Sequence, residues 1–424
     1  MIDIPEVLLK QADELERYWN QRFPALGKIV KGCFLNTIET TVHALPDGSC
    51  FVITGDIDAM WLRDSAAQVG LYVRFAKDDA SLQKILEGVI ASQMRFVNID
   101  PYANAFNPDD SDPDRGWKDE TDLTPHIWER KYEVDSLCAP LYLSYDYYQK
   151  TGIGRIFTEE WKNAAEKILT VFETEQRHAD SPYFFRRHVG PESDTLPGDG
   201  YGNPVGYTGM TWSGFRPSDD RCIYGYLIPS NMMAVCALQK LSEIADRFYP
   251  ESSLSVRARK LEKEIREGIE KYGLAEDPDF GAIYAYEVDG LGHRNLMDDA
   301  NSPSLLAIPY LGFAPKEDAI YQNTRRFILS RKNPYYYEGK YARGIGSPHT
   351  PRGYIWHISL IMQALTSSDP DEIQGILQML ADTLGGTDFM HESFNPDSPD
   401  RFTRSWFAWA NTLFAQLMDD LRRD

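Results

Sequence analysis

The sequence predicts an all-α protein, an (α/α) toroid of six helical hairpins with long loops and a few short strands at one mouth. Two observations carry that prediction. Stretches with apolar residues at helical spacing recur along the whole 424-residue chain and come in pairs joined by a short turn. Each pair follows a long loop rich in Asp, Asn, Gly, Pro, Tyr and Trp, longer than a simple connector needs. A closed ring of hairpins leaves no apolar helix face uncovered. There is no internal sequence repeat, so the ring rests on this layout alone.

Taken in order, residues 5–22 carry Val7, Leu8, Ala12, Leu15, Tyr18 and Trp19 on one stripe, ended before Pro24. Residues 33–55 read as strands around a turn at Pro46-Asp-Gly-Ser49. Helices are expected at about 61–77, 82–97, 135–150, 158–178, 229–247, 253–272, 303–312, 316–331, 353–366, 370–384 and 402–422, with a short strand within 278–288. The middle helices make five hairpins. The first and last helices have no sequence neighbour, and pairing them with each other gives the sixth. Every long loop then enters the first, inner helix of its pair, so all six loops meet at one mouth. One domain, 1–424, is expected.

Polar and aromatic residues concentrate in those loops. Thr54 to Ser65 holds Asp56, Asp58, Trp61, Arg63 and Asp64 at a helix start. An Arg fork and Asp oxygens can hold several hydroxyls, and an indole face suits the C–H side of a sugar ring. An Asp N-cap with a surface Arg63–Asp64 pair is the plainer reading, but it needs one Asp, and crowding three carries a like-charge cost. The third loop supplies Asp219 and Asp220 and the sixth supplies Glu392. Two carboxyl groups facing each other across a glycosidic bond are the minimum for hydrolysis, one donating a proton and one activating water. Helix capping by the two aspartates and a solvated Glu392 remain the alternative.

Asp298, Asp299 and Asn301 fit either hydroxyl binding or an Asx turn before Pro303. His349 and Arg352, on a backbone stiffened by Pro348 and Pro351, read as ligand contacts, whereas His357 reads as a packed residue. Trp61, Trp117, Trp128 and Trp212 are stacking candidates; Trp406 and Trp409 read as core. His126 and His391 have no metal-ligand spacing to another His or Cys, and no phosphate or dinucleotide fingerprint is present, so neither metal nor cofactor is expected.

A net charge of −20 opposes nucleic acid and anionic membranes as partners. Cys33, Cys50, Cys138, Cys222 and Cys236 form neither a zinc pattern nor a disulfide framework and read as reduced thiols. The start of the chain lacks a signal-peptide pattern and no apolar run would span a bilayer, which together predict a cytoplasmic protein. A monomer or weak homo-oligomer is expected.

At these residues the sequence resembles glycoside hydrolase family 125, bacterial exo-acting α-1,6-mannosidases. The matching pieces are Gly55 to Asp64, Thr211 to Asp220, Asp298 to Ser302, Gly346 to Thr350 and His391 to Phe394, in order over almost the whole chain. The resemblance implies metal-free, inverting hydrolysis of terminal α-1,6-linked mannose, from mannobiose or the trimmed arm of N-glycans. It implies an acid within Pro217-Ser-Asp-Asp220, taken as Asp219 with Asp220 as rival, and Glu392 as base. It further implies that Asp58, Arg63, Asp64, Asp299, His349 and Arg352 hold the terminal mannose. An inverting exo-glycosidase or phosphorylase acting on another α-linkage, a sugar epimerase on the same toroid and a non-catalytic glycan-binding protein are the competing readings.

Overall fold

The computed structural model describes residues 2–112 and 114–423; Met1, Pro113 and Asp424 of the expected 1–424 unit lie outside the described residues. The long loops separate helices α1 (Glu6–Arg22), α2 (Pro24–Thr40), α3 (Leu62–Gly70, continued as a 3-10 turn over Leu71–Phe75), α4 (Ala80–Ile99), α5 (Val134–Thr151), α6 (Glu159–Glu175) and α7 (Ile228–Phe248). The series continues with α8 (Leu254–Tyr272), α9 (Ile308–Leu311), α10 (Ala319–Ile328), α11 (His357–Leu365), α12 (Pro370–Asp382) and α13 (Ala408–Arg423).

The inner ring consists of α3, α5, α7, α9, α11 and α13. Successive members pack on one another from α3 to α9, α11 packs on α13, and α13 returns to α3. The single-turn α9 and α11 face a common axial cavity through Leu311 and Met362. Outside the ring, α4 packs on α6 and α6 on α8, while α12 packs on both α11 and α2. One contiguous apolar core runs from Leu8 in α1 to Met418 in α13. Among the described residues no helix is long and apolar enough to cross a membrane, and all five cysteines are free and buried.

The ring closes with a different partner from the one the sequence suggested. The last helix packs against α2, and α1 covers the outer side of α2 while reaching α13 through Trp19, whose indole N–H donates to the Met418 carbonyl at 3.0 Å. Residues 33–40, read as strand, are the second half of α2; only 42–44 and 50–52 pair as strands, around the expected 46–49 turn. Two physical effects masked this helix. It is wedged between neighbours and buried over most of its length, so it has no polar stripe. It also carries Ile29, Val30, Thr37 and Ile38, residues that favour strands elsewhere. Pro24 starts the helix at its first turn, where a missing N–H costs nothing, and Gly27 lets α1 and α2 approach, since a side chain there would collide with the Trp19–Asn20 backbone.

Four outer helices begin on a side-chain cap that their inner partners lack. Asp79 caps α4 by accepting from the Leu82 N–H at 2.8 Å, Thr158 caps α6, Asp318 caps α10 and Asp369 caps α12. By contrast, α3, α7 and α11 carry no side-chain cap, and each emerges directly from a two-residue strand: 60–61, 226–227 and 355–356. These strands pair with neighbouring loop segments, 60–61 with 105–106 and 355–356 with 393–394. Backbone pairing thus fixes the starts of α3, α7 and α11, leaving their first-turn side chains free to face the mouth.

Candidate active site

Two cavities lie near the ring axis. The larger, about 650 Å³, is walled mainly by apolar residues such as Ala66, Val73, Leu143, Met233, Met362 and Leu413, and neither Asp219 nor Glu392 reaches it. The smaller, about 150 Å³, sits among the loops and is lined by Thr54, Ile57, Trp61, Arg63, Asp64, Ser218, Asp219, Asn301, His349, Trp356, Glu392, Arg404 and Phe407. That is small against the roughly 300–1,000 Å³ of drug-sized sites and suits a single sugar ring. Arg63 touches both and forms part of the wall between them.

The three aspartates of the first loop do not share a site; each has its own cation. Asp56 accepts from Arg404 Nη2 at 2.6 Å, Asp58 pairs with Arg115, and Asp64 lies 3.5 Å from Arg63 Nη2. Only Asp64 reaches the cavity. Gly55 ties this loop to the sixth, with φ of 126° and no room for a side chain beside the Trp406 carbonyl. The Asp56 N–H donates to that carbonyl at 3.2 Å.

Asp219 and Asp220 lie in a tight hairpin closed by the Arg216 N–H donating to the Asp220 carbonyl at 2.8 Å. Asp219 adopts φ of 69°, a left-handed conformation that Asp tolerates better than most residues and that is common at functional sites. Lys131 Nζ holds its carbonyl at 2.7 Å. This turn sends the neighbours apart: Asp219 enters the cavity, while Asp220 is buried behind it, 3.4 Å from His349 Nδ1.

In the same cavity lining, Glu392 accepts from the Thr403 hydroxyl at 2.9 Å, and Arg404 Nη1 lies 3.6 Å away. Behind it, His357 exchanges backbone contacts with His391, its Nδ1 accepting from the His391 N–H at 2.9 Å, and burial holds both imidazoles below their ordinary pKa. His357 is thus a packed, neutral support, as its apolar sequence neighbours indicated.

Burial alone would raise the Asp219 pKa, but Lys131, Arg63, His349 and a hydrogen bond with Glu133 outweigh it and hold Asp219 below the usual carboxylate range. Burial and the neighbouring Asp219 push Glu133 well up, against the pull of Arg63. The two shifts run in opposite directions, so Glu133 is the member of the pair that holds a proton more readily.

For His349, burial lowers the pKa, but the hydrogen bond and charge of Asp220, with Glu392 and Asp219, raise it to about 9. His349 is thus a cation in the cavity at neutral pH. Because its folded pKa exceeds its ordinary 6.5, its contribution to stability is complete below 6.5 and lost as pH rises through about 9. Thermal melts should show a loss of stability over that window in the native protein, and a shallower one in His349→Gln.

Four predicted binding residues lie outside the cavity lining. Asp58 is exposed on the rim against Arg115, and Arg352 is exposed as well. Asp299 is buried one layer back, accepting from Ser218 Oγ at 2.8 Å and, in the manner of an Asx turn, from the Asn301 N–H at 3.5 Å, while its neighbour Asp298 makes no such turn and accepts instead from the Leu305 and Leu306 N–H groups beyond Pro303. Trp212 is core, stacked on His178 with centroids 3.5 Å apart and planes 7° from parallel. Replacing Trp212 with Ala should therefore cost about 3–5 kcal/mol of stability, measured by denaturant melts, while KM of the folded fraction stays unchanged.

Of the remaining aromatic candidates, Trp61 lines the cavity, Trp128 packs behind it, and Trp117 is exposed under the Arg187 guanidinium, 4.0 Å from its ring centroid. Sequence reasoning missed Arg404, Thr403, Phe407 and Trp356 at the site, and Asn104, Lys131 and Glu133 behind it. Glu133 had a signal: with Asp135 it opens α5 just as Arg63 and Asp64 open α3. Arg404 had none, since it reaches Glu392 only through the hairpin that pairs 393–395 with 398–403.

An (α/α) toroid that presents carboxyl groups from separate loops to a cavity of this size, between indole faces and fixed cations, has the equipment of a glycoside hydrolase. Comparison with known proteins narrows the class. The sequence profile of the metal-independent α-mannosidases (GH125) matches residues 24–418. A solved Streptococcus pneumoniae structure from that group, described as a non-productive substrate complex with α-1,6-mannobiose, is 46% identical with TM-score 0.96, covering 99% of each chain. The meiotically up-regulated gene 157 protein of Schizosaccharomyces pombe is 41% identical over 420 residues, covering 93% of this chain and 82% of its own. A glucoamylase from Saccharomycopsis fibuligera, 13% identical with TM-score 0.61 over 94% of this chain and 95% of its own, shares the fold. The chain belongs to the metal-independent α-mannosidase family, GH125, and is a glycoside hydrolase acting as an α-mannosidase.

Proposed function

We propose that this α-mannosidase removes terminal α-1,6-linked mannose one residue at a time, with inversion, using Asp219 as general acid and Glu392 as general base. The observation that carries the reading is that these two carboxyl groups, from the third and sixth loops, line one cavity of about 150 Å³. Trp61, Trp356 and Phe407 offer apolar ring contacts there, while Arg63, Asp64, Asn301 and His349 offer partners for hydroxyls. Asp219 gives its proton to the glycosidic oxygen as the bond to C1 breaks. Glu392, steadied by Thr403 and Arg404, takes a proton from the water that attacks C1 on the opposite face, releasing β-mannose.

Room for one ring supports exo action, and the α-1,6-mannobiose complex of the Streptococcus pneumoniae relative supports the linkage. Substrates from the α-1,6 arm of N-glycans fit the same chemistry, and five buried free thiols fit a reducing, cytoplasmic setting. We also take 1–424 as one folding unit, because one contiguous apolar core runs from α1 to α13, and as a monomer or weak homo-oligomer. Asp58 and Arg352 are left for the leaving-group side of the rim. Assaying α-1,2-, α-1,3-, α-1,4- and α-1,6-mannobiose side by side tests the linkage: preferential release of mannose from the α-1,6 isomer is expected, and equal rates on all four would overturn it.

A further inference from the structure

We infer that Glu133 is the positioning residue of the acid, forming with Asp219 a carboxyl pair that shares one proton and supplies it to the glycosidic oxygen. The inference deepens the proposed function and rests on Asp219 being the acid. Its basis is geometric. The Glu133 and Asp219 carboxyl groups are within hydrogen-bond reach of each other. Asn104 Nδ2 faces both, 3.3 Å from Asp219 Oδ1 and 3.5 Å from Glu133 Oε1. Neither carboxylate can donate to the other, so two such groups in contact need a proton between them. Glu133 is absent from the cavity lining, so it acts through Asp219 and not on the sugar.

The surroundings are built to hold such a pair in either state. Toward Glu133 point Arg63 Nη1 and the Ser136 hydroxyl, which donates at 2.7 Å; the same Arg63 Nη1 also binds Asp135 Oδ2 at 2.9 Å. Toward Asp219 face Lys131, Arg63 and His349, with Asp64 as an additional like charge. Glu129 is linked to the pair through Asn104, which donates to its Oε2 at 3.0 Å. Of the two, Glu133 holds a proton more readily, and Asp219 lies between cations. A bound sugar strips water from Asp219 and favours its neutral form, while Glu133, as an anion, keeps Arg63 and Ser136.

The proton ledger closes. The shared proton passes from Glu133 to Asp219 and then to the leaving oxygen, leaving both carboxyl groups ionised beside Arg63 and Lys131. Water contributes its hydroxyl to C1 and one proton to Glu392; that proton goes to solvent, and a solvent proton restores the pair. As with other carboxyl dyads, the second ionisation is resisted by the first, so the pair keeps its proton to a higher pH than Asp219 alone could.

The test is the pH profile of kcat/KM for Glu133→Gln on α-1,6-mannobiose and on an aryl α-mannoside whose leaving group needs no protonation. With a neutral amide beside it, Asp219 should lose its proton earlier. The alkaline limb on mannobiose should then move down by at least about 1 pH unit, with KM within about threefold and much less loss on the aryl substrate. Glu133→Asp, which keeps a charge for Arg63, should give a smaller shift in the same direction and covers the case in which the amide variant does not fold. An unmoved alkaline limb in whichever variant folds, or equal losses on the two substrates, would overturn the role of Glu133. Failure of Asp219 as acid would look different: Asp219→Asn itself would then lose equally on both substrates.

Discussion

Glu392→Gln is expected to lose about 10²–10⁴-fold in kcat on every α-mannoside tested, because an amide cannot take the proton of the attacking water. The amide keeps the size of the side chain and can still meet Thr403, which donates to Glu392 at 2.9 Å. The fold and substrate affinity should therefore survive, and the loss should not depend on the leaving group, since activation of water is needed whichever alcohol departs. Steady-state kinetics on α-1,6-mannobiose and on an aryl mannoside, with a melting curve as control, measures it. A loss confined to one substrate, or one accompanied by a large fall in melting temperature, would remove Glu392 from the role of base.

Asp219→Asn should behave differently. On mannobiose, whose leaving sugar alcohol needs a proton, the expected loss in kcat is again about 10²–10⁴-fold, but on an activated aryl mannoside it should shrink below about tenfold. Asp220→Asn separates the rival. Asp220 lies outside the cavity lining and faces His349, so its loss should lower the His349 pKa and raise KM at neutral pH, with no dependence on leaving-group acidity. If Asp220→Asn shows the leaving-group signature and Asp219→Asn does not, the two roles are exchanged.

The ring was legible in the sequence because its cause is local: an amphipathic stripe and a long polar loop can be read within a few dozen residues, and six such units admit few closed arrangements. What sequence could not show is which helix closes the ring. That depends on α2 being buried on opposite sides, which erases the stripe by which a helix is recognised. The site shows the same division. Asp64, Asp219, His349 and Glu392 could be picked out because a turn or helix start delivers each to the mouth. Trp61 and Trp212 look alike in local sequence; His178, brought against Trp212 by tertiary packing, commits one of them to the core. Asp219 and Asp220 are adjacent and chemically identical, and only the left-handed backbone at Asp219 decides which enters the cavity.

The most direct test of the proposed acid and base is proton NMR of the first mannose released from α-1,6-mannobiose, recorded over the first turnovers before mutarotation mixes the anomers. Asp219 and Glu392 acting on opposite faces of C1 through one water predict that β-mannose appears first and α-mannose grows in later. Early α-mannose would mean two displacements at C1 in place of one, and would contradict the account.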